Sequence, residues 1–433
     1  MDIIKGILEV IAPNEITELL VLDRGFREVT YGTSQITVEL DPGIYQVQAR
    51  LPGARSEQLV AVESGQTVTV DDFELTFDSP TPLVGIPSTH EYQRAAAYGH
   101  SRTLHATLGE VPNSRLFLFS RSGNVGFPVP VPAFVVRGQG LEVRFPEFGV
   151  YDQGGGWLAL SLALPAGTYF LEQDVPELGR RGQVLFVEKD WQTQVFAPWE
   201  EIPDFSKAVI HMRRASSEYL DFDPNDATQT ALDAPTEAAL EGLARGRLVM
   251  TRTDLQEFLN AKFIDPIMGL IGAYAMLVTD SSEYYDRLRN VVVPNLQMLL
   301  PHSPDVALLA RLVGSPLGWA TFIEPPLFAI GTERLLELAA NGYVECPANS
   351  QLAEIAIRLT TGSAWTRWDE GISVADAREQ LQSALRDRLP HGRFAGLSES
   401  AARLARELGL PLSIVTQEMS PPVEDNTLND LST

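Results

Sequence analysis

Cysteine occurs once in the 433 residues, at Cys346, which excludes an intrachain disulfide and fits a reducing compartment. Basic charge is scarce too: 33 lysines and arginines stand against 57 acidic side chains. The formal net charge of −24 repels phosphate backbones and anionic membranes, so neither nucleic acid nor a membrane surface is an expected partner. Long apolar runs are missing. Residues 267–278 form the most apolar stretch, short of the ~20 residues that span a bilayer, and predict a buried helix. The opening residues Met1-Asp2-Ile3-Ile4-Lys5-Gly6 lack the basic start and unbroken apolar stretch of a secretory signal, so the cytoplasm is the expected location.

Catalytic patterns are missing as well. There is no phosphate-cradling Walker loop, and Gly99-His100-Ser101-Arg102-Thr103 lacks the closing glycine of a nucleophile elbow. His90-Glu91 begins like a zincin helix, but Arg94 stands where the second histidine belongs. Asp221-Phe222-Asp223-Pro224-Asn225-Asp226 carries the first alternating oxygen ligands of a calcium loop. Asp226 replaces its turn glycine, however, and Leu232 its bidentate glutamate. Cys346 has no neighbouring base in the sequence and reads as structural. No catalytic, cofactor-binding or metal-binding residue is assigned. An enzyme with an unfamiliar site, around His211, Asp254 or His302, is the competing class.

What the chain does contain is an internal duplication. Leu40-Asp41-Pro42-Gly43-Ile44-Tyr45, followed by Gln66-Thr67-Val68-Thr69-Val70, returns as Leu164-Pro165-Ala166-Gly167-Thr168-Tyr169 with Gln192-Thr193-Gln194-Val195-Phe196 downstream. Upstream, Leu19-Leu20-Val21-Leu22 is matched with Leu116-Phe117-Leu118-Phe119. Period-two alternation, as in Gln35-Ile36-Thr37-Val38-Glu39-Leu40, together with Pro-Gly turns, predicts antiparallel β-sandwich modules. Tyr45 and Tyr169 read as sandwich tyrosines whose hydroxyls cap nearby backbone.

The Leu-x-Pro-Gly-x-Tyr strand start and the closing Ser64-Gly65-Gln66-Thr67-Val68-Thr69-Val70 resemble PEGA and carboxypeptidase-regulatory-like modules. The likeness covers about residues 6–75 and, more loosely, 103–197, where Asp190-Trp191 replaces Ser64-Gly65. It implies a non-catalytic β-sandwich.

The second copy is read as longer by an insertion at 124–155. Within it Phe127-Pro128-Val129-Pro130-Val131-Pro132 places proline at every second position and deletes successive amide donors along one strand edge. Edge protection is one reading of this segment. The other is an extended docking surface that offers Phe127, Val129, Val131 and Phe134 to a protein partner.

From about residue 236 the period becomes 3.6. Asp265-Pro266 and Ser303-Pro304 are helix starts, Gly269 and Gly272 suit close helix packing, and further segments open at Thr332, Ser350, Ser373 and Ser398. Residues 400–415 have helix-turn-helix spacing without a basic recognition helix, which favours packing and leaves a DNA-binding regulator as an alternative. Trp365 and Trp368 are expected in a core or between domains.

The fold class is thus an α+β multidomain protein, two tandem antiparallel β-sandwich modules followed by an α-helical bundle. Its expected parts are module 1 at 1–82, a connector at 83–102, module 2 at 103–200, an acidic linker at 201–235, a helical domain at 236–416 and a disordered tail at 417–433. Residues Asp265-Pro266-Ile267-Met268-Gly269-Leu270-Ile271-Gly272-Ala273-Tyr274 resemble a stretch of uncharacterised bacterial proteins that accompany caspase-like peptidases. That likeness implies a partner or regulated substrate of a peptidase in a stress or defence system. The function expected is a non-enzymatic cytoplasmic adaptor or scaffold that uses no cofactor and binds a protein.

Overall fold

The computed structural model describes residues 4–370, except 53, 110–112, 124–130, 176–178, 201, 216–221, 226, 247–249, 251, 280, 315–320, 357 and 361. The helices expected from Ser373 and Ser398, the helix-turn-helix-like segment and the tail lie outside the described residues.

Strands come first, because the early sequence alternates and its turns hold proline and glycine. β1 (Gly6–Ile11), β2 (Glu18–Leu22), β3 (Glu28–Thr33), β4 (Gln35–Leu40), β5 (Gly43–Leu51), β6 (Ala54–Val62) and β7 (Thr67–Val70) form two sheets, ordered β4-β1-β7 and β3-β2-β5-β6. Leu8, Val10 and Ile36 from the first sheet meet Leu19, Val21, Val47, Ala49, Val60 and Val62 from the second in one apolar core.

Helix α1 (Glu91–Arg102) follows, with His90 rather than Thr89 at its N-cap. Gln93 fixes it in place: its Nε2 donates to the carbonyls of Ser122 and Gly155, each at 3.0 Å. Then come β8 (Ala106–Thr107), β9 (Arg115–Arg121), β10 (Phe134–Gly138), β11 (Leu141–Phe145), β12 (Val150–Asp152), β13 (Trp157–Ala163), β14 (Gly167–Val175), β15 (Gly179–Val187), β16 (Trp191–Pro198) and β17 (Val209–Arg214).

The pairing order of the first set returns in the second. β1 lies antiparallel to β4 and parallel to β7, and β9 lies antiparallel to β13 and parallel to β16. β2 pairs with β3 and β5, and β10 with β11 and β14. β5 and β6 form the hairpin that β14 and β15 repeat. Tyr45 and Tyr169 close the same corner, each hydroxyl donating at 2.9 Å to the carbonyl four residues back, Asp41 and Pro165.

The pairings correct part of the sequence alignment. The partner of Leu19–Leu22 in the first set is β10, since β2 and β10 both lie beside the long hairpin, whereas residues 116–119 belong to β9, the equivalent of β1. Residues 124–155 are therefore not an insertion as a whole, because they contain β10 and β11, counterparts of β2 and β3. Fully buried apolar runs carry no phase, so the run 19–22 of β2 matched the wrong apolar run, 116–119 of β9. Strand β12 is an addition that has no counterpart in the first set among the described residues.

The remaining described residues are mainly helical: α2 (Ala227–Ala244), α3 (Arg252–Ala261), α4 (Pro266–Thr279), α5 (Ser282–Arg287), a π-turn at Leu288–Val292, α6 (Val293–Leu299), α7 (Pro304–Leu312), α8 (Ala329–Ala340) and α9 (Gln351–Ala356). α4 is apolar all round and buried over most of its length. A Cβ on Gly272 would come within 2.9 Å of the Leu259 side chain, so glycine there lets α3 and α4 approach.

Two expected boundaries fail. The span 201–235 is not simply a linker: β17 pairs with β16 from Trp191↔Arg214 to Phe196↔Val209, and α2 begins at Ala227. The short, fully buried run Val209-Ile210-His211-Met212 carries no alternation and sits between acidic stretches, which hides the strand. The segment from 236 onward is not helical throughout either, because β18 (Arg367–Asp369) pairs antiparallel with β15. One apolar cluster runs from Leu118 and Leu185 through Ile210 to Ile271, Leu296 and Trp365, so the second pair of sheets and the helices share a core.

Candidate functional site

The four-stranded sheet β3-β2-β5-β6 turns one face to its core; its other face is buried around Glu18, Leu20 and Gln48 and open around Tyr31, Ile44, Leu59 and Ala61. On the open face Ile44 is 63% and Leu59 77% exposed, Tyr31 is half-exposed, and Val29 and Ala61 add to the patch. The pairings Leu20↔Tyr31, Gln46↔Leu59 and Ile44↔Ala61 put these side chains on one surface, with Leu20 and Leu22 beneath them. Charges frame the patch: Arg27 pairs with Asp23 at 2.9 Å, and Arg55 with Glu57. Isolated exposed apolar residues are ordinary, but several on one sheet face with a polar rim have the make-up of a binding surface.

The duplicate shows what can occupy that face. β14 and β15 pair Gly167 with Val187 as β5 and β6 pair Gly43 with Val62, so Ile44, Gln46, Leu59 and Ala61 correspond to Thr168, Phe170, Val184 and Phe186. Phe170, Val184 and Phe186 are buried. The later part of the chain covers them: Trp368 of β18 meets Phe170 edge-on at 4.9 Å, and Glu324 accepts a 2.7 Å hydrogen bond from Thr168. The β6 edge of the first set, unpaired among the described residues, is likewise filled on β15 by β18. Gly182 makes room for this, since a Cβ there would fall 1.9 Å from the Trp368 ring.

Of the four residues expected to dock a partner, the two that are described, Val131 and Phe134, turn toward the core. Phe127 and Val129 lie outside the described residues. Val131 is half-buried against the shared core. Phe134, at 2% exposure, starts β10 as Leu19 starts the core run of β2, and it stacks on Phe145 at 4.7 Å. Alternation in the sequence marks the core face and does not point to the open-face residues. The signal was there in Leu59-Val60-Ala61-Val62, which is apolar in both phases.

The residues singled out for an unfamiliar active site lie apart. His211 on β17 is buried, its Nδ1 2.9 Å from Asp265 Oδ2 and its Nε2 3.5 Å from Asp233 Oδ1. Asp265 also takes Arg213 at 2.6 Å and the backbone N–H groups of Met212 and Ile267, each at 3.0 Å. Burial pushes this carboxyl up, but the Arg213 charge and the bonds from His211 and Met212 outweigh it and leave its pKa lowered. The arrangement clamps β17 to the start of α4. His302 instead bonds Glu188 at 2.9 Å, and Asp254 sits in α3. Cys346 is buried in an apolar cluster with Leu308, Leu335 and Leu352. Trp365 and Trp368 are core residues, as expected. Among the described residues no group of three or more metal-ligating side chains occurs, and no helix is long and apolar enough to cross a membrane.

No family model matches the chain, and no curated protein matches it. Solved structures give distant likenesses. The Bacillus anthracis TIE protein is 15% identical over 43% of this chain and 31% of its own, with a TM-score of 0.15. A minor pilin of Streptococcus agalactiae is 12% identical over 45% of this chain and 94% of its own, TM-score 0.15. A titin tandem of Ig domains is 14% identical over 44% and 95%, TM-score 0.14. The chain spans about a third of the first of these.

Proposed function

We propose that this protein is a non-enzymatic adaptor or scaffold that binds a protein partner through the open face of β3-β2-β5-β6. The carrying observation is the contrast between duplicates: one face exposes Ile44 and Leu59 while its counterpart is filled by the chain's own later segment. The finer architecture belongs to this reading: two PEGA-like sandwich modules in tandem, the first free to dock, the second joined to a helical domain. A caspase-like peptidase is the partner class to try first, since that is what the likeness at 265–274 implies. Those residues are buried, so any peptidase contact falls elsewhere, on the open face.

The test is affinity capture from the native host with the full chain and with Ile44→Ser/Leu59→Ser. Both residues are exposed, so the variant should melt like the parent. A specific protein held by the parent and lost from the variant supports the reading. The same protein held equally by both contradicts it.

A further inference from the structure

A second feature, independent of the open face, lies at the other end of the duplication. The core-facing positions Ala49, Ser56 and Gln58 of the first set are replaced in the second by Gln173, Arg181 and Gln183, as the pairings Ala49↔Ser56, Val47↔Gln58, Gln173↔Arg181 and Leu171↔Gln183 establish. In the first set the Gln58 amide donates to the Asp72 carbonyl. In the second, Gln183 is 1% exposed and neither its Oε1 nor its Nε2 has a hydrogen-bond partner among the described residues. A buried carboxamide without partners leaves its desolvation uncompensated.

Gln183 faces a cavity of about 830 Å³ between this end of the sheet and the 202–206 segment. That volume falls within the roughly 300–1,000 Å³ of small-molecule sites. Arg367 of β18 lines it directly across the ladder, because Gln183↔Arg367 are cross-strand partners whose side chains stand about 5 Å apart on one face. Arg181 is held by Asp369 at 3.0 Å, and Asp204 is held by Ser206 and Lys207. The Arg367 guanidinium has no hydrogen bond and no ion pair among the described residues, and burial disfavours its charge while Asp204 supports it from a distance.

We propose that this cavity binds a ligand carrying a carboxylate next to an amide, the chemistry of a peptide C-terminus, with Arg367 taking the carboxylate and Gln183 the amide. A planar guanidinium offers two parallel donors to a carboxylate. A carboxamide with both donor and acceptor free complements the N–H and C=O of a peptide unit. One ligand of this kind reaches the Arg367 guanidinium and both ends of the Gln183 carboxamide, whereas an apolar ligand satisfies none of these groups and a purely cationic one only the Gln183 Oε1 acceptor.

The experiment is calorimetric titration of the full chain with N-acetyl-Ala-Ala and with its C-terminal amide. The free acid should bind at least about tenfold more tightly, and Arg367→Gln should erase that difference. Gln183→Met should weaken binding while raising the melting temperature, because it removes the stranded amide; this separates loss of ligand from loss of fold. A folded carrier protein ending in Ala-Ala competes if the source is a protein C-terminus and fails to compete if the cavity admits only free peptides. Equal binding of acid and amide, no binding of either at millimolar concentration, or Arg367→Gln binding like the parent overturns the assignment. All of these readouts are unaffected by Ile44→Ser/Leu59→Ser, so failure here and failure of the adaptor reading are distinguishable.

Discussion

Single side chains decide several features that the sequence pattern only hinted at. The paired corner tyrosines were legible because Pro-Gly or Ala-Gly followed by x-Tyr recurs with the same neighbours. Their surroundings differ. Tyr169 is fully buried, and burial raises its hydroxyl pKa, whereas Tyr45 is half-exposed. Tyr169→Phe should therefore cost about 1–2 kcal/mol by denaturant unfolding, and Tyr45→Phe measurably less. Equal costs would show that burial does not set the value of the bond. Asp190 was matched to Ser64, yet it adopts a φ of +66° as Gly65 adopts +72°, so the alignment moves by one residue at this turn. Asp305 was not legible at all. It accepts hydrogen bonds from Tyr274 and Leu327, each at 2.7 Å, and burial pushes its carboxyl up to about 6. Between about pH 4 and 6 the folded chain then holds a proton that the unfolded chain has released, so this group's stabilisation is present below that window and lost as pH rises through it. Asp305→Asn should flatten the stability profile across that window relative to the parent. An unchanged slope would remove Asp305 as its cause.

At the scale of elements, strands were readable wherever only one face is buried, as in β4, whose alternation is clean. They were misread where both faces are covered. β2 and β9 are buried along nearly their whole length, and nothing in four consecutive apolar residues says which neighbour a strand pairs with. Helix starts at Asp265-Pro266 and Ser303-Pro304 were legible through capping chemistry. The joint between β17 and α4 was not, since it depends on His211, Arg213 and Asp265, which are close only in the fold. Asp265→Ala should cost about 3–5 kcal/mol, because it strands a buried guanidinium and two backbone amides. A loss below about 1 kcal/mol in chemical denaturation would show that the clamp is not needed.

For the whole molecule, the distribution of apolar clusters separates residues 8–75 from the rest, while the second pair of sheets and the helices share one core. Hydrogen exchange on heating should therefore report two units, with β9, β17 and α4 losing protection together and β1 to β7 at a different temperature. Simultaneous loss of β1 and α4 would contradict that division. Neither the division nor the shared core was visible in composition, because burial of β15 by β18 is a contact made across the whole helical segment. The same contact gives the functional account its contrast between a filled face and an open one.

That contrast is tested most directly by placing a photo-crosslinking amino acid at Leu59 and, as a control, at Met298, an equally exposed apolar position on α6. The full chain carrying either probe is expressed in the native host and illuminated. The account predicts a discrete adduct with a second protein from position 59 and none from position 298. An adduct from Met298 with none from Leu59 would contradict it.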